Sequence, residues 1–259
     1  MVDPNNDPCP IDDILVLPTA SGADIFVAVD GFAAISGVPG VYMSSDYGAN
    51  WSAVLTRGAC NGLTGGCPGS IGRISLAGGG TTVYAMFGSA TLNPFNAYTG
   101  FYISSNLGGS WSQQTVPSES FINPPNSVTI DGTLPSNDSQ AFYDQALAVS
   151  PSSASTVLFG GVGLYQSANG GSAWSFIGDQ GVHADQHAIA YDPFNSNNYW
   201  VGDDGGLFYW NGSSFTDLNG GLNSAQLYGV AINSGPPVTV LGGFQDNGTE
   251  LYTGAPAWA

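Results

Sequence analysis

Both histidines of the chain fall in one short run, His183-Ala-Asp-Gln-His187, with Asp185 between them. Imidazoles alternating with a carboxyl offer three chemistries: ligation of a metal, proton transfer or substrate contact near neutral pH, or a hydrogen-bonded polar plug. If the run is extended, positions 183, 185 and 187 share one face. At roughly 3.3 Å per residue the two histidine Cα atoms then lie about 13 Å apart. Shared ligation of one metal therefore needs a bend at the start of the strand. A second polar run is Asp203-Asp204-Gly205-Gly206, and a third is Gln245-Asp246-Asn247-Gly248. The second reads either as half of a Ca2+ loop, since hard cations want several carboxylate and carbonyl oxygens, or as an aspartate-stabilised tight turn. The third contains Asn247-Gly248, a strong turn signal.

Two carboxyl groups facing one another across a cleft would hydrolyse a glycosidic bond, one as acid and the other as base or nucleophile. The chain has only two glutamates, Glu119 and Glu250. Aspartates must carry such a pair. Asp185 with Asp204 or Asp246 is the leading choice, with Asp30 and Asp144 in reserve. Crowded carboxyls on an acidic protein raise one another's pKa, which is what a general acid requires.

What must position these groups is a repeated element. Gly40-Val-Tyr-Met-Ser44-Ser-Asp46-Tyr-Gly48-Ala-Asn-Trp51, Gly100-Phe-Tyr-Ile-Ser104-Ser-Asn106-Leu-Gly108-Gly-Ser-Trp111 and Gly163-Leu-Tyr-Gln-Ser167-Ala-Asn169-Gly-Gly171-Ser-Ala-Trp174 share one pattern. Each is a strand, a Ser-x-Asp/Asn-x-Gly turn, and a Trp that opens the return strand. The Ser and Asp/Asn side chains bond the turn backbone, and the Gly takes a positive φ. Two more strand-like runs precede each hairpin, making a unit of four strands. A fourth unit, closing at Phe215, and a fifth, closing at Trp258, repeat the plan with degenerate turns. Four-stranded units at this spacing predict an all-β fold, a β-propeller of antiparallel blades. The expected blades cover roughly 11–57, 69–116, 140–178, 183–218 and 223–259, after an N-terminal extension 1–10. Five blades make either a compact ring or part of a larger propeller. An incomplete ring leaves blade faces bare and invites self-association.

The Ser-x-Asp-x-Gly-x-x-Trp repeat resembles the Asp-box, or BNR repeat, of sialidase-, xyloglucanase- and sortilin-type propellers. The runs His183–His187, Tyr191-Asp-Pro193, Gly202-Asp-Asp-Gly-Gly206 and Gly242–Gly248 are similar to secreted bacterial glycosyl-hydrolase-like BNR proteins. The resemblance implies a propeller and a carbohydrate partner. It does not imply a sialidase: sialidases of this fold grip the substrate carboxylate with three arginines, and only Arg57 and Arg73 exist here. Xyloglucanase-type enzymes place their two aspartates in successive propellers, a cleft that one short propeller cannot rebuild.

Propeller geometry puts the loops of one rim around a shared opening. Aligning the inner strands of the last three units pairs Tyr143 and Gln145 with Asp185 and His187, and these with Gln226 and Tyr228. Asp30, Asp203, Asp204, Gln245, Asp246 and Asn247 follow the second strands and are expected at the same opening. Asp185, Asp204 and Asp246 are thus the candidate catalytic groups. His183, His187, Tyr143, Gln226, Tyr228, Asp203, Gln245 and Asn247 are the candidate substrate contacts. The leading reading is a glycoside hydrolase; the alternative is a non-catalytic glycan- or protein-binding module.

Composition narrows the partners. With 19 acidic residues against two arginines and no lysine, the net charge is −17. Phosphate neutralisation needs many cations, so nucleic acid is excluded, and anionic membrane surfaces are disfavoured. No run is long and apolar enough to insert in a membrane. Cys60 and Cys67 bracket a six-residue loop that would close as a disulfide, leaving Cys9 over; free buried thiols are the alternative. The Ser/Asn/Gly-rich, low-charge composition points to secretion, although no signal peptide is visible in the chain.

Overall fold

The computed structural model describes residues 10–30, 38–59, 62–63, 71–89, 98–116, 140–178, 181–222, 226–233, 235, 239–245 and 247–252. Cys9, Cys60, Cys67, Glu119, Asp246 and Trp258 lie outside the described residues. The described strands form five antiparallel sheets, each running in sequence order. The first holds β1 (Ile11–Thr19), β2 (Gly22–Val29), β3 (Gly40–Ser44) and β4 (Ser52–Thr56). The second holds β5 (Ile74–Gly79), β6 (Thr82–Gly88), β7 (Tyr98–Ser104) and β8 (Ser112–Gln114). The third holds β9 (Ala146–Ser150), β10 (Ser153–Gly160), β11 (Leu164–Ser167) and β12 (Ser175–Phe176). The fourth holds β13 (Gln186–Tyr191), β14 (Tyr199–Asp203), β15 (Gly206–Trp210) and β16 (Phe215–Asp217). The fifth holds β17 (Leu227–Asn233), β18 (Thr239–Phe244) and β19 (Gly248–Tyr252). The innermost strands stand side by side, β1 on β5, β5 on β9 and β9 on β13. The fold is a β-propeller of antiparallel blades.

The three repeated turns are built alike. Ser44 Oγ donates to Asp46 Oδ1 (2.8 Å) and accepts the Gly48 amide (2.9 Å). Ser104 treats Asn106 and Gly108 the same way (2.9 Å each). Ser167 does so with Asn169 (2.9 Å) and Gly171 (2.8 Å). In each turn two successive residues are left-handed: Tyr47 and Gly48, Leu107 and Gly108, Gly170 and Gly171. In the third turn the second must be glycine for a packing reason as well. A Cβ on Gly171 would lie 2.2 Å from the Phe101 ring of the preceding sheet.

The second and third turns thus seat on the sheet before them, and buried apolar clusters fill the joints. Phe26, Val54, Leu55, Leu76, Phe87 and Trp111 fill the first. Tyr84, Phe101, Phe159 and Tyr165, with Trp174 against them, fill the second. Leu158, Leu164, Tyr199 and Val201 fill the third. The fifth sheet is different. Every residue of β17 is exposed, and the sheet meets the fourth across a cleft.

Bulges at the start of three inner strands bear on the site. The β1–β2 register slips at Asp12, the β13–β14 register at His187, and the β17–β18 register at Tyr228. A bulge adds one unpaired residue and re-aims its side chain. The His183–His187 run is therefore not one extended face. The strand begins at Gln186, and Asp185 sits in the left-handed region at φ 65°. This is the bend that the sequence alone does not reveal.

Candidate functional site

Asp144 and Asp185 occupy matching positions, each just before a glutamine that leads into an inner strand. Both glutamines are buried anchors. Gln145 Nε2 donates to the Met86 carbonyl (2.7 Å), and Gln186 Nε2 to the His183 carbonyl (2.6 Å). The amides of Asp185 and Gln186 bond the carbonyls of Val162 (3.0 Å) and Gly161 (2.8 Å), fastening this segment to the third sheet. With the segment fixed, the left-handed backbone at Asp185 brings its carboxyl onto that of Asp144.

Asp144 is 1% exposed. Burial pushes its carboxyl up to about 8, and the neighbouring Asp185 and Asp204 push in the same direction. Arg73, whose Nη1 donates to the Tyr143 carbonyl (2.6 Å), pulls the other way without winning. Two carboxyls crowded together in a buried place resist ionising together, because like charges repel. At neutral pH the pair therefore holds a proton.

His187 links this pair to solvent. Its Nδ1 lies 3.8 Å from Asp144 Oδ1, and its Nε2 lies 2.7 Å from Asp204 Oδ1. The bulge at His187 is what aims the ring between them. Its side chain is 32% exposed and that of Asp204 21%, so these two form the accessible edge of the cluster. The Tyr143 ring meets His187 edge-on at 4.9 Å, and both Tyr143 and Phe142 are open to solvent.

Asp203 plays another part. Its Oδ1 accepts the Gly205 amide (2.9 Å) and its Oδ2 the His183 amide (3.1 Å). It pairs directly with Gly206 across a two-residue hairpin. Burial raises its carboxyl to about 6, against the pull of those amides. This is the tight turn. Each oxygen of Asp203 accepts one backbone amide, as the turn reading expects. Among the described residues no three His, Cys, Asp or Glu side chains converge as a metal site. His183 Nδ1 lies 3.1 Å from the Ala184 carbonyl.

The remaining candidates divide. Asn247 Nδ2 donates to the Asp204 carbonyl (3.0 Å), joining the fifth sheet to the site. The Gln245 amide bonds the Gln226 carbonyl (2.9 Å) at the base of the β17–β18 hairpin, and Tyr228 projects into solvent. Asp246 lies outside the described residues. Asp30 sits with Asp12 between the first and second sheets instead. The expected pairing of Tyr143 with Asp185 is corrected by one residue to Asp144. His187 is the extra residue of a bulge, and it offsets everything before it. Asp144, held only in reserve, and Arg73 are what the sequence reading undervalued. The repeated dipeptide Asp144-Gln145 and Asp185-Gln186 is the signal that could have found the former.

Between the fourth and fifth sheets runs a cleft of about 260 Å³, lined among others by Asp204, Asn219, Leu222, Phe244, Asn247 and Glu250. Asp204 is common to the cleft and to the His187 cluster.

Among solved structures, the chain is similar to the GH74 xyloglucanase from Xanthomonas campestris (TM-score 0.57, 19% identity, 91% of this chain and 35% of that one). It is also similar to the Niastella koreensis GH74 enzyme (TM-score 0.56, 16% identity, 98% of this chain and 37% of that one). The chain thus spans about a third of the length of these structures, and at such identities the likeness is one of fold. No family model matches the sequence, and no curated protein matches it.

Proposed function

We propose that this chain is a carbohydrate-acting propeller that hydrolyses a glycosidic bond at the Asp144–Asp185–His187–Asp204 cluster. One observation carries the reading. A carboxyl pair holding a proton at neutral pH stands across a single imidazole from a solvent-facing carboxyl. Groups whose surroundings split their protonation are the mark of acid and base partners. Asp185, the half-buried member of the pair, donates the proton to the leaving oxygen, and Asp144 returns it. Asp204 acts on the opposite side as base or nucleophile. His187 holds Asp204 in place and passes protons between the two sides. Phe142 and Tyr143 offer apolar faces for a sugar ring, and the cleft beside Asp204 takes a neighbouring residue of the glycan. With so few cations in the chain, the glycan is neutral. The Ser-Asp/Asn-Gly turns support the Asp-box assignment, and the low-charge composition supports secretion.

A non-catalytic glycan-binding module is the second reading. It is favoured by the deep burial of Asp144, which keeps the most shifted carboxyl out of a substrate's direct reach. One experiment separates the two. Neutral oligosaccharides are screened for binding by calorimetry and for release of reducing ends, with the wild type and with Asp185→Asn and Asp204→Asn. Hydrolysis lost in both variants with binding retained supports the enzyme. Binding without turnover by the wild type supports the module and ends the catalytic assignment.

A further inference from the structure

The second sheet brings no carboxyl to the cluster, yet it holds the segment that carries Asp144. Three successive carbonyls of that segment each accept a side-chain donor from the second sheet or the residue leading into it. Arg73 Nη1 donates to the carbonyl of Tyr143 (2.6 Å), Tyr98 Oη to that of Asp144, and Ser75 Oγ to that of Gln145 (3.2 Å). The amides of Tyr143 and Asp144 turn back on the Gln140 carbonyl (2.7 Å and 2.9 Å). Moving this backbone would leave the carbonyls of the buried residues Asp144 and Gln145 without donors, which is costly.

Tyr98 does more than the other two. Its ring packs edge-on against Phe159 of the third sheet, with centroids 4.8 Å apart. Its hydroxyl also abuts Gly161, where a Cβ would lie 2.5 Å from Tyr98 Oη. Gly161 and Val162 are the residues whose carbonyls accept the amides of Gln186 (2.8 Å) and Asp185 (3.0 Å). One hydroxyl thus contacts both the backbone of Asp144 and the stretch to which Asp185 is fastened.

We propose that Tyr98 is a positioning residue of the site, its hydroxyl setting the spacing at which the Asp144 and Asp185 carboxyls meet. The inference rests on the reading of that pair as the acid. Asp144 faces Arg73 from the second sheet and Asp185, His187 and Asp204 from the fourth. Without the hydroxyl, the Asp144 carbonyl loses its donor and the segment relaxes. The two carboxyls then separate and gain water, and both changes let Asp144 ionise more easily. Arg73 does not isolate this effect, because its charge acts on Asp144 directly.

Tyr98→Phe keeps the ring on Phe159 and removes only the hydroxyl. Tyr84→Phe is the matched control, since Tyr84 Oη donates to the Ala154 carbonyl (2.7 Å) across the same joint, at the far end of β10 from Gly160. The readouts are the carboxyl titration of Asp144 in the full chain by NMR, its signal assigned with Asp144→Asn, and the pH–rate profile on a neutral oligosaccharide. In the wild type the signal is expected to titrate above the ordinary carboxyl range. Tyr98→Phe is expected to lower that titration by about one pH unit, or about tenfold in proton affinity, and to move the alkaline limb of the profile with it. Tyr84→Phe should lower thermal stability as much and move neither. A folded Tyr98→Phe whose Asp144 titration is unmoved overturns the proposal, as does an equal shift in Tyr84→Phe. Should Tyr98→Phe fail to fold, Ser75→Ala frees the next carbonyl of the same segment and must shift the titration in the same direction; no shift overturns the proposal. A shifted titration in a protein that hydrolyses no glycan keeps the positioning role and ends the catalytic reading. Hydrolysis with an unshifted titration does the reverse.

Discussion

Two acidic clusters lie at the starts of the inner strands, and they differ in what their carboxyls face. Between the first and second sheets, Asp12 Oδ2 accepts the Ile74 amide (2.9 Å) and Asp13 Oδ2 the Leu76 amide (2.7 Å). Those carboxyls stitch one inner strand to the next. Between the third and fourth sheets, Asp144 faces Asp185 and the His187 ring. Yet burial raises both, Asp12 to about 7 and Asp144 to about 8. A shifted carboxyl therefore does not by itself mark a site. In the first cluster the backbone uses the lone pairs; in the second, other titratable groups face them.

The largest expected effect separates the clusters by activity. If the second cluster is the site, Asp185→Asn and Asp204→Asn each lower the hydrolysis rate by about 10²–10⁴-fold, the usual contribution of an acid or base. Asp12→Asn leaves it within a few-fold, since an amide oxygen still accepts from Ile74. Rates on the best oligosaccharide substrate decide. Equal losses at both clusters would mean that the rate reports fold integrity, and the distinction would collapse.

The fold was legible because its turns repeat as side-chain chemistry. Ser44, Asp46 and Gly48 state a turn without any tertiary information, and the same positions recur twice. The site was only half legible. His187 and Asp204 stood out because histidines are scarce and Asp203-Asp204 is a conspicuous pair. Asp144 did not, because the bulge at His187 is a pairing irregularity with no residue signature, and it hides the match of Asp144 with Asp185. Asp203 and Asp204 are neighbours in sequence but opposites in role, and only hydrogen bonds across to His183 and His187 separate them. Asp12, Asp13 and Arg73 went unweighted because their importance comes from burial against strands some sixty residues away.

Stability against pH sharpens the comparison next. A carboxyl raised in the fold keeps its proton while the unfolded chain loses its own, so the folded state binds more protons and stability falls as pH rises. The fall begins above the unfolded value of 3.8 and levels off near pH 7 for Asp12 and near pH 8 for Asp144. Each group contributes at most about 1.4 kcal/mol per pH unit. Denaturant unfolding from pH 5 to 9 is expected to show a decline across pH 5–8. Asp144→Asn and Asp12→Asn should each make that decline shallower. A stability that rises over this range would show that neither carboxyl holds its proton in the fold.

Removing the Asp12 acceptor and neutralising Asp144 gives a smaller contrast. Asp12→Ala leaves the Ile74 amide, at a fully buried residue, without its acceptor and should cost about 1–3 kcal/mol. Asp144→Asn at pH 7 exchanges one neutral polar group for another and should cost less than about 1 kcal/mol. Urea midpoints check both. The reverse order would make Asp144 the structural stitch and Asp12 the exceptional group.

The smallest effect tests whether the second cluster meets a ligand at all. Tyr143 is held by its backbone, through the Arg73 guanidinium on its carbonyl, so truncating its ring leaves the anchor intact. The exposed ring meets His187 edge-on and lies 6.2 Å from the Phe142 ring. Its removal should leave thermal stability nearly unchanged. If sugars stack on it, the loss is one aromatic contact of about 0.5–1.5 kcal/mol, up to roughly tenfold in Kd. Tyr47 is the matched control. It is a still more exposed tyrosine on the first sheet, away from these carboxyls, and Tyr47→Ala should leave glycan affinity unchanged. Calorimetry on both variants with one neutral oligosaccharide therefore separates a binding face at the third and fourth sheets from general stickiness of exposed aromatic rings. Equal weakening by both variants would remove the aromatic platform from the second cluster and leave its carboxyls without a ligand surface beside them.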